Sequence, residues 1–95
     1  MDLTIEQIKK KIVPILRQHN VKKAGLFGSC VKGRMRKNSD IDLLVELDAQ
    51  ISLLGFVRIQ HELESVLRRK VDLGEYHMIK PIIRDKVLGE EVRIL

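Results

Sequence analysis

Apolar and other residues alternate so regularly in a short segment near the middle of the chain that the pattern constrains the fold. Its apolar side chains stand at every second position, Ile41, Leu43, Val45 and Leu47. Because successive residues of a strand point to opposite faces, these side chains bury on one face and place Asp40 and Asp42 together on the other. A shift by one residue would turn both carboxylates into the core, so the register is strongly specified. The chain is therefore predicted to contain a sheet with one apolar face and one acidic face.

A small-residue turn lies upstream of these acids. Residues 24–27 read as a buried strand that runs into Gly28 and Ser29, where a short helix is predicted to open before a polar loop at 37–39. The start of a helix offers unpaired amides and a positive dipole end, which bind phosphate. Gly28 would let the backbone approach closely, and the Ser29 hydroxyl could donate to a phosphate oxygen. Capping of the helix is the alternative role for Ser29.

The two acids have a chemical use that fits this turn. Like charges close to an apolar sheet repel each other and are costly to desolvate, and a divalent cation relieves both problems. Hard oxygen ligands favour magnesium or manganese. The alternative is that Asp40 ends a loop and that Asp42 is an exposed strand residue. The spacing thus indicates a metal site without excluding a surface role.

The rest of the chain reads as alternating helices and strands. Thr4 and Gln7 form a capping box for a helix that reaches about residue 18, with a kink rather than a break at Pro14. One face of this helix is apolar, through Ile5, Ile8, Ile12, Ile15 and Leu16. Ser52 is predicted to cap a second helix that ends near residue 69. Its apolar side comprises Phe56, Ile59, Leu63, Val66 and Leu67.

Three further elements follow. Residues 71–73 read as a short strand, Pro81 is typical of a helix start, and Gly89 is typical of the position just past a helix end. Residues 92–95 form either an edge strand or a docked tail. We therefore expect an α+β fold, a small mixed sheet flanked by helices, in a single domain spanning residues 1–95.

Composition limits the classes of protein to which the chain can belong. With 95 residues, 44% hydrophobic and 33% charged, it has the profile of an ordinary soluble domain, with no apolar run near the roughly 20 residues of a membrane span. The first residues lack a secretory pattern, and the single cysteine, Cys30, excludes an internal disulfide. We expect a cytoplasmic protein.

The net charge of +5 favours an anionic partner without identifying it. Basic residues bracket the glycine turn, at Lys22, Lys23, Lys32, Arg34, Arg36 and Lys37. Only three residues are aromatic, Phe27, Phe56 and Tyr76, and the two phenylalanines lie in apolar patterns. Because a stacking platform for single-stranded nucleic acid is missing, general nucleic-acid binding is disfavoured.

Other enzyme classes fit the motifs poorly. The turn lacks the Gly-x-Ser-x-Gly elbow of serine hydrolases and the Gly-Lys-Ser/Thr of Walker-type ATPases. The histidines, His19, His61 and His77, follow no zinc spacing, and surface or helix-end roles are favoured for them.

The motif resembles the signature of one superfamily. Gly28-Ser29, Gly33-Arg34 and the run from Ser39 to Val45 look like the signature of the polymerase-beta-type nucleotidyltransferases, in particular the minimal nucleotidyltransferases. A leading helix, a strand ending in Leu-Phe-Gly-Ser, a long middle helix and a later Val-Asp-Leu strand extend the similarity to nearly the whole chain.

The resemblance implies roles for specific residues. Asp40, Asp42 and Asp72 would be catalytic carboxylates and ligands of two Mg²⁺ ions, with ATP as the substrate. Gly28 and Ser29 would contact the triphosphate. Lys32 and Arg34 could add positive charge to it, although a surface role is as compatible with either. Asp72 could instead be a plain acid in a short strand.

The resemblance also implies a partner. Small members of this family commonly act as antitoxins of all-helical HEPN ribonuclease toxins, transferring AMP to a toxin tyrosine and forming a complex with the toxin. One alternative is a catalytically idle module that neutralises the toxin by contact alone. Another is transfer to an aminoglycoside-like acceptor, for which no acceptor domain is visible.

The chain departs from the family pattern at Cys30, where a larger residue is frequent, and at Gly74 and Glu75, where another apolar residue often stands. These departures bear on nucleotide affinity and on the last part of the third strand. Tyr76 is conceivable as a self-modification site, but a packing role is favoured.

Overall fold

The computed structural model of the protein describes residues 4–28, 31 and 40–95. Three helices and four strands follow one another in these residues. Their bounds are α1 Ile5–Gln18, β1 Lys23–Phe27, β2 Ile41–Glu46, α2 Leu53–Leu67, β3 Val71–Glu75, α3 Pro81–Gly89 and β4 Val92–Arg93, with a 3₁₀ turn at Tyr76–Met78 before α3. The predicted α+β class with a small mixed sheet is confirmed. The predicted helix near Ser29 lies outside the described residues.

The sheet has the order β3-β2-β1-β4. Strand β1 pairs antiparallel with β2 and with β4, whereas β2 pairs parallel with β3. Parallel strands need a long crossover, which α2 provides between β2 and β3. The C-terminal residues belong both to an edge strand and to a docked tail, because the Ile94 amide donates to the Ala24 carbonyl at 3.0 Å and the Ala24 amide donates to the Leu95 carbonyl at 3.0 Å.

The helices begin where their caps predict. The Thr4 hydroxyl accepts from the Gln7 amide at 3.1 Å, and the Gln7 side chain accepts from the Thr4 amide at 2.9 Å, so the capping box is confirmed. Helix α1 continues through Pro14. Ser52 caps α2, which ends at Leu67 and is followed by Arg68 in the left-handed conformation with φ 54°. Such a residue stops the helix, close to the end predicted near residue 69.

The core lies between one face of the sheet and helices α1 and α2. The buried residues packed together here are Ile8, Ile12, Val13, Leu16, Val21, Ala24, Leu26, Ile41, Leu43, Val45, Ile59, Leu63, Leu67, Val71, Leu73 and Ile94. The alternation in β2 predicted this face correctly, with Leu47 packed at its margin. Val66, which is predicted to lie on the apolar side of α2, is 38% exposed. The buried residues of α2 are Ile59, Leu63 and Leu67, and Phe56 packs against the core while partly buried.

Helix α3 differs from the other two helices, since none of its residues is buried. Its first turn exposes Ile82 at 91% and Ile83 at 46%. No helix in the part of the chain that the structure describes is long and apolar enough to cross a membrane.

Candidate active site

Asp42 and Asp72 lie side by side on the sheet face opposite the core, which we call the acidic face. Residues that pair across neighbouring strands point to the same side, and Asp42 pairs with Asp72 in β3 and with Phe27 in β1. Asp42 is half-buried and Asp72 is exposed. The structure therefore brings together two of the three acids predicted from the sequence, although 30 positions separate them in the chain.

Asp40 stands directly before β2 and is exposed. The negative charge of Asp40 acts electrostatically on Asp42. Burial raises the pKa of the Asp42 carboxyl, and the negative charges of Asp72 and then Asp40 raise that pKa further. The three acids thus share one electrostatic environment, in which like charges oppose the ionisation of Asp42.

Gly28 meets Asp42 at the end of β1. Its φ is +73°, a left-handed conformation that favours glycine, and a Cβ on Gly28 would collide with the carboxylate of Asp42, whose Cγ would lie 3.2 Å away. The predicted contact between the glycine turn and the acidic face is therefore present at Gly28. Ser29, Lys32 and Arg34, which we predicted to contact the triphosphate, lie outside the described residues.

Two polar side chains of α2 hold the strand that carries Asp72. The Val71 amide donates to Glu64 Oε2 at 2.9 Å, and Gln60 Nε2 donates to the Val71 carbonyl at 2.9 Å. Because β3 is an edge strand, these bonds satisfy backbone groups that would otherwise lack a strand partner. Neither Gln60 nor Glu64 was predicted from the sequence. Their signal was two polar side chains four positions apart beside the apolar stripe of α2.

A second polar group lies on the acidic face, farther along the sheet. Tyr76 is buried, and its hydroxyl donates to Glu91 Oε2. Glu91 lies over Gly25, where a Cβ would come within 2.6 Å of the Glu91 Cγ. Lys23 Nζ stands 4.4 Å from the centre of the Tyr76 ring, at cation–π distance. Burial and then the Glu91 hydrogen bond raise the pKa of Tyr76, which agrees with the packing role favoured for this residue.

The three histidines take the surface or helix-end roles predicted for them, with His19 at the C-terminal cap of α1. His19 on α1 bonds to Glu62 on α2 at 2.5 Å, and His77 lies 3.3 Å from Glu75, while His61 is exposed.

A concavity of about 380 Å³ lies at the other end of β2 from Asp42. Its lining residues are Val45, Glu46, Leu47, Asp48, Ala49, Ile51, Glu75, Tyr76 and His77. Of the residues predicted for catalysis or nucleotide contact, the described ones, Gly28, Asp40, Asp42 and Asp72, do not line it.

The acids suit a hard divalent cation in donor type, because carboxylate oxygens are the ligands that Mg²⁺ prefers. The raised pKa of Asp42 points the same way, since a cation next to this carboxylate would stabilise its ionised form. Within residues 4–28, 31 and 40–95, no three His, Cys, Asp or Glu side chains are gathered closely enough to hold one ion together. Like charges repel, so closer approach of the acids requires a counter-charge.

The sequence pattern of the family described as polymerase beta, nucleotidyltransferase matches residues 10–95. A candidate protein adenylyltransferase of Methanocaldococcus jannaschii is 45% identical over 93 residues, covering 98% of this chain and 100% of the relative. The protein adenylyltransferase MntA of Thermococcus cleftensis is 33% identical over 96 residues, covering 97% of each chain.

Solved structures agree with this relationship. A candidate minimal nucleotidyltransferase superposes with a TM-score of 0.81 at 28% identity, covering 95% of both chains. A chain of a toxin–antitoxin complex with AMP-PNP superposes with a TM-score of 0.78 at 25% identity, covering 92% of this chain and 72% of the other. The family match, the relatives and the paired acids beside Gly28 all lead to one conclusion: the chain belongs to the minimal nucleotidyltransferases of the polymerase-beta nucleotidyltransferase family.

Proposed function

We propose that the protein is a Mg²⁺-dependent adenylyltransferase that moves AMP from ATP to a tyrosine of a HEPN ribonuclease toxin and so acts as its antitoxin. The observation that carries this proposal is the pairing of Asp42 with Asp72 on the acidic face, with the Asp42 carboxylate against Gly28. A relative named as a protein adenylyltransferase and a related chain seen in a toxin–antitoxin complex with AMP-PNP support the substrate and the partner.

The triphosphate would lie at the Gly28 end of the acidic face. Gly28 and Ser29 would contact it, and Lys32 and Arg34 would add positive charge. Asp40, Asp42 and Asp72 would hold two Mg²⁺ ions. Such ions stabilise both the attacking and the leaving oxygen of an in-line displacement.

The reaction exchanges one P–O bond for another. The tyrosine oxygen forms a bond to the α-phosphorus of ATP, the bond from that phosphorus to the bridging oxygen breaks, and pyrophosphate leaves with the electron pair. Asp72 is exposed and could accept the proton of the phenol. Asp42, being half-buried beside Gly28, is suited to a fixed position near the α-phosphate.

Exposed apolar side chains support docking of a protein partner. They occur on the first turn of α2 and around the start of α3, at Leu53, Leu54, Met78, Ile82 and Ile83. Because α3 buries none of its own residues, a partner that packs on this helix would stabilise it.

The proposal is tested by AMP transfer. Purified protein, Mg²⁺ and labelled ATP should label the toxin. Asp42→Asn should abolish labelling and leave the complex with the toxin intact. Asp48→Asn is the matched control, because Asp48 lies beyond the far end of β2, where its side chain accepts a hydrogen bond from the Gln50 amide at 3.1 Å.

Persistent labelling by the Asp42→Asn variant would refute the assignment of the catalytic acids. Neutralisation of the toxin by the wild type without labelling would instead establish the idle binding module.

A further inference from the structure

An apolar strip formed by Gly25, Leu44 and Gly74, which we call the floor, continues the acidic face on the side away from Gly28. The strand register aligns Gly25, Leu44 and Gly74 in one row across β1, β2 and β3, next to the row of Asp42 and Asp72. Leu44 is half-buried, and a Cβ on Gly74 would come within 3.0 Å of Leu44 Cδ2. Leu44 therefore leans over Gly74, and two glycines flank one leucine side chain.

Glu91 limits this floor on the β1 side. The Glu91 carboxylate lies over Gly25 and accepts the hydrogen bond of the Tyr76 hydroxyl. The Glu91 side chain fills the space above Gly25 and leaves the strip over Leu44 and Gly74 open to a ligand. This strip is apolar, so it suits a neutral ring better than a triphosphate.

The geometry of in-line displacement separates the two ends of the acidic face. The attacking oxygen must approach the α-phosphorus from the side opposite the leaving pyrophosphate. If pyrophosphate leaves at the Gly28 end, the acceptor hydroxyl arrives from the side of Leu44. The step from Leu44 to Asp42 along β2 is roughly 6.6 Å, comparable with the length of a phenol ring and its hydroxyl.

We propose that Leu44, leaning over Gly74, positions the aromatic ring of the acceptor tyrosine and so selects tyrosine over serine or threonine. This inference rests on the proposed function. A ring can lie on the leucine while its hydroxyl reaches the acids. A serine or threonine hydroxyl could reach the acids only if its own backbone came down onto the floor.

The test compares the acceptor KM, kcat and ATP affinity of Leu44→Ser with those of the wild type, using the toxin as the acceptor. Loss of the apolar contact should raise the toxin KM about tenfold, the change that corresponds to about 1.4 kcal/mol. The Kd for ATP measured without toxin should not change. Leu44→Met should rescue the KM of Leu44→Ser, because methionine restores the apolar volume.

Two further variants make the result decisive even if Leu44→Ser folds poorly. Gly74→Ala should also raise the toxin KM, because the added methyl group would displace Leu44. Val66→Ser is the control, since Val66 is a partly exposed apolar residue on α2 away from the acidic face.

Three outcomes would overturn the inference. An unchanged toxin KM in both Leu44→Ser and Gly74→Ala would show that the floor does not contact the acceptor. Weaker ATP binding by Leu44→Ser would assign the floor to the adenine base. Absence of AMP transfer by the wild type would overturn the proposed function as well, and so distinguishes the two failures.

Discussion

Asp42 has the most demanding environment of the three acids. It is half-buried, it lies against the backbone of Gly28, and two other carboxylates act on it. In the absence of a cation the folded protein must hold this charge at a cost, because burial and repulsion both oppose ionisation. A bound cation would relieve the repulsion, and this relief would add to the affinity of the site for the cation.

We therefore expect Asp42→Asn to raise the melting temperature of the protein at neutral pH without Mg²⁺ or nucleotide. The sign follows from the raised pKa: an acid that binds its proton more tightly in the folded state lowers stability as pH rises through its titration. Thermal unfolding followed by circular dichroism measures the effect, with Asp48→Asn as the control. A lower melting temperature for Asp42→Asn would contradict this account.

Tyr76 provides a second prediction at this scale, because it is the only tyrosine of the chain. Its pKa is raised by burial and by the bond to Glu91, so the unfolded chain loses the phenol proton first, near pH 10. The contribution of Tyr76 to the free energy of unfolding should be fully present below pH 10 and should be lost as the pH rises further. Phenolate absorbance should then appear together with unfolding. A phenolate signal near pH 10 in a chain that is still folded would refute the assignment.

Residue-level prediction from the sequence succeeded where a local pattern was present. The alternation around Asp42 predicted its face, and the family motif predicted its partner Asp72. The pairing of Tyr76 with Glu91 had no local signal, because 15 positions separate them and the bond depends on how the C-terminal strand docks on β1.

The elements were predicted best where caps and periodicity were strong. Thr4 and Ser52 begin α1 and α2 as expected. Strand β3 extends to Glu75, beyond the predicted end at residue 73, because pairing with β2 continues through Gly74 and Glu75. Such pairing depends on the neighbouring strand rather than on the intrinsic preference of glycine for strands, which is low.

Strand β1 depends on glycine at one position. Gly25→Ala should lower stability by about 1–3 kcal/mol, in the range of overpacking, because the new methyl group would collide with Glu91. Chemical denaturation measures this change. In a Glu91→Ala background, Gly25→Ala should lower stability less than it does in the wild type, since the obstructing carboxylate is gone. Equal effects of Gly25→Ala in both backgrounds would contradict the proposed clash.

At the scale of the whole molecule, the helices α1 and α2 cover one face of the sheet and the acids lie on the other. A ligand bound only by the folded protein stabilises it, so Mg²⁺ with ATP should raise the melting temperature. A ligand at 100 times its Kd contributes about 2.7 kcal/mol. Asp42→Asn should remove the rise. An equal rise in wild type and variant would place the nucleotide away from the acids.

The exposed apolar residues yield a prediction for the complex. Ile82→Asp should weaken binding to the toxin by at least about tenfold, because it introduces a charge into an apolar contact. The melting temperature of the protein alone should hardly change, since Ile82 is 91% exposed. Isothermal titration with the toxin measures the affinity, and Lys9→Ala on the exposed side of α1 serves as the control. Unchanged affinity would remove α3 from the interface.

The parallel pairing of β2 with β3 determines when the acids can come together during synthesis of the chain. The acids that we propose as metal ligands lie at β2 and in β3, on either side of the whole of α2, so no early portion of the chain contains the full set. A nascent polypeptide or a proteolytic fragment that stops before residue 71 would retain the glycine turn and Asp42 yet be catalytically silent. Activity should consequently switch on late in synthesis, in a single step, rather than grow as the polypeptide lengthens.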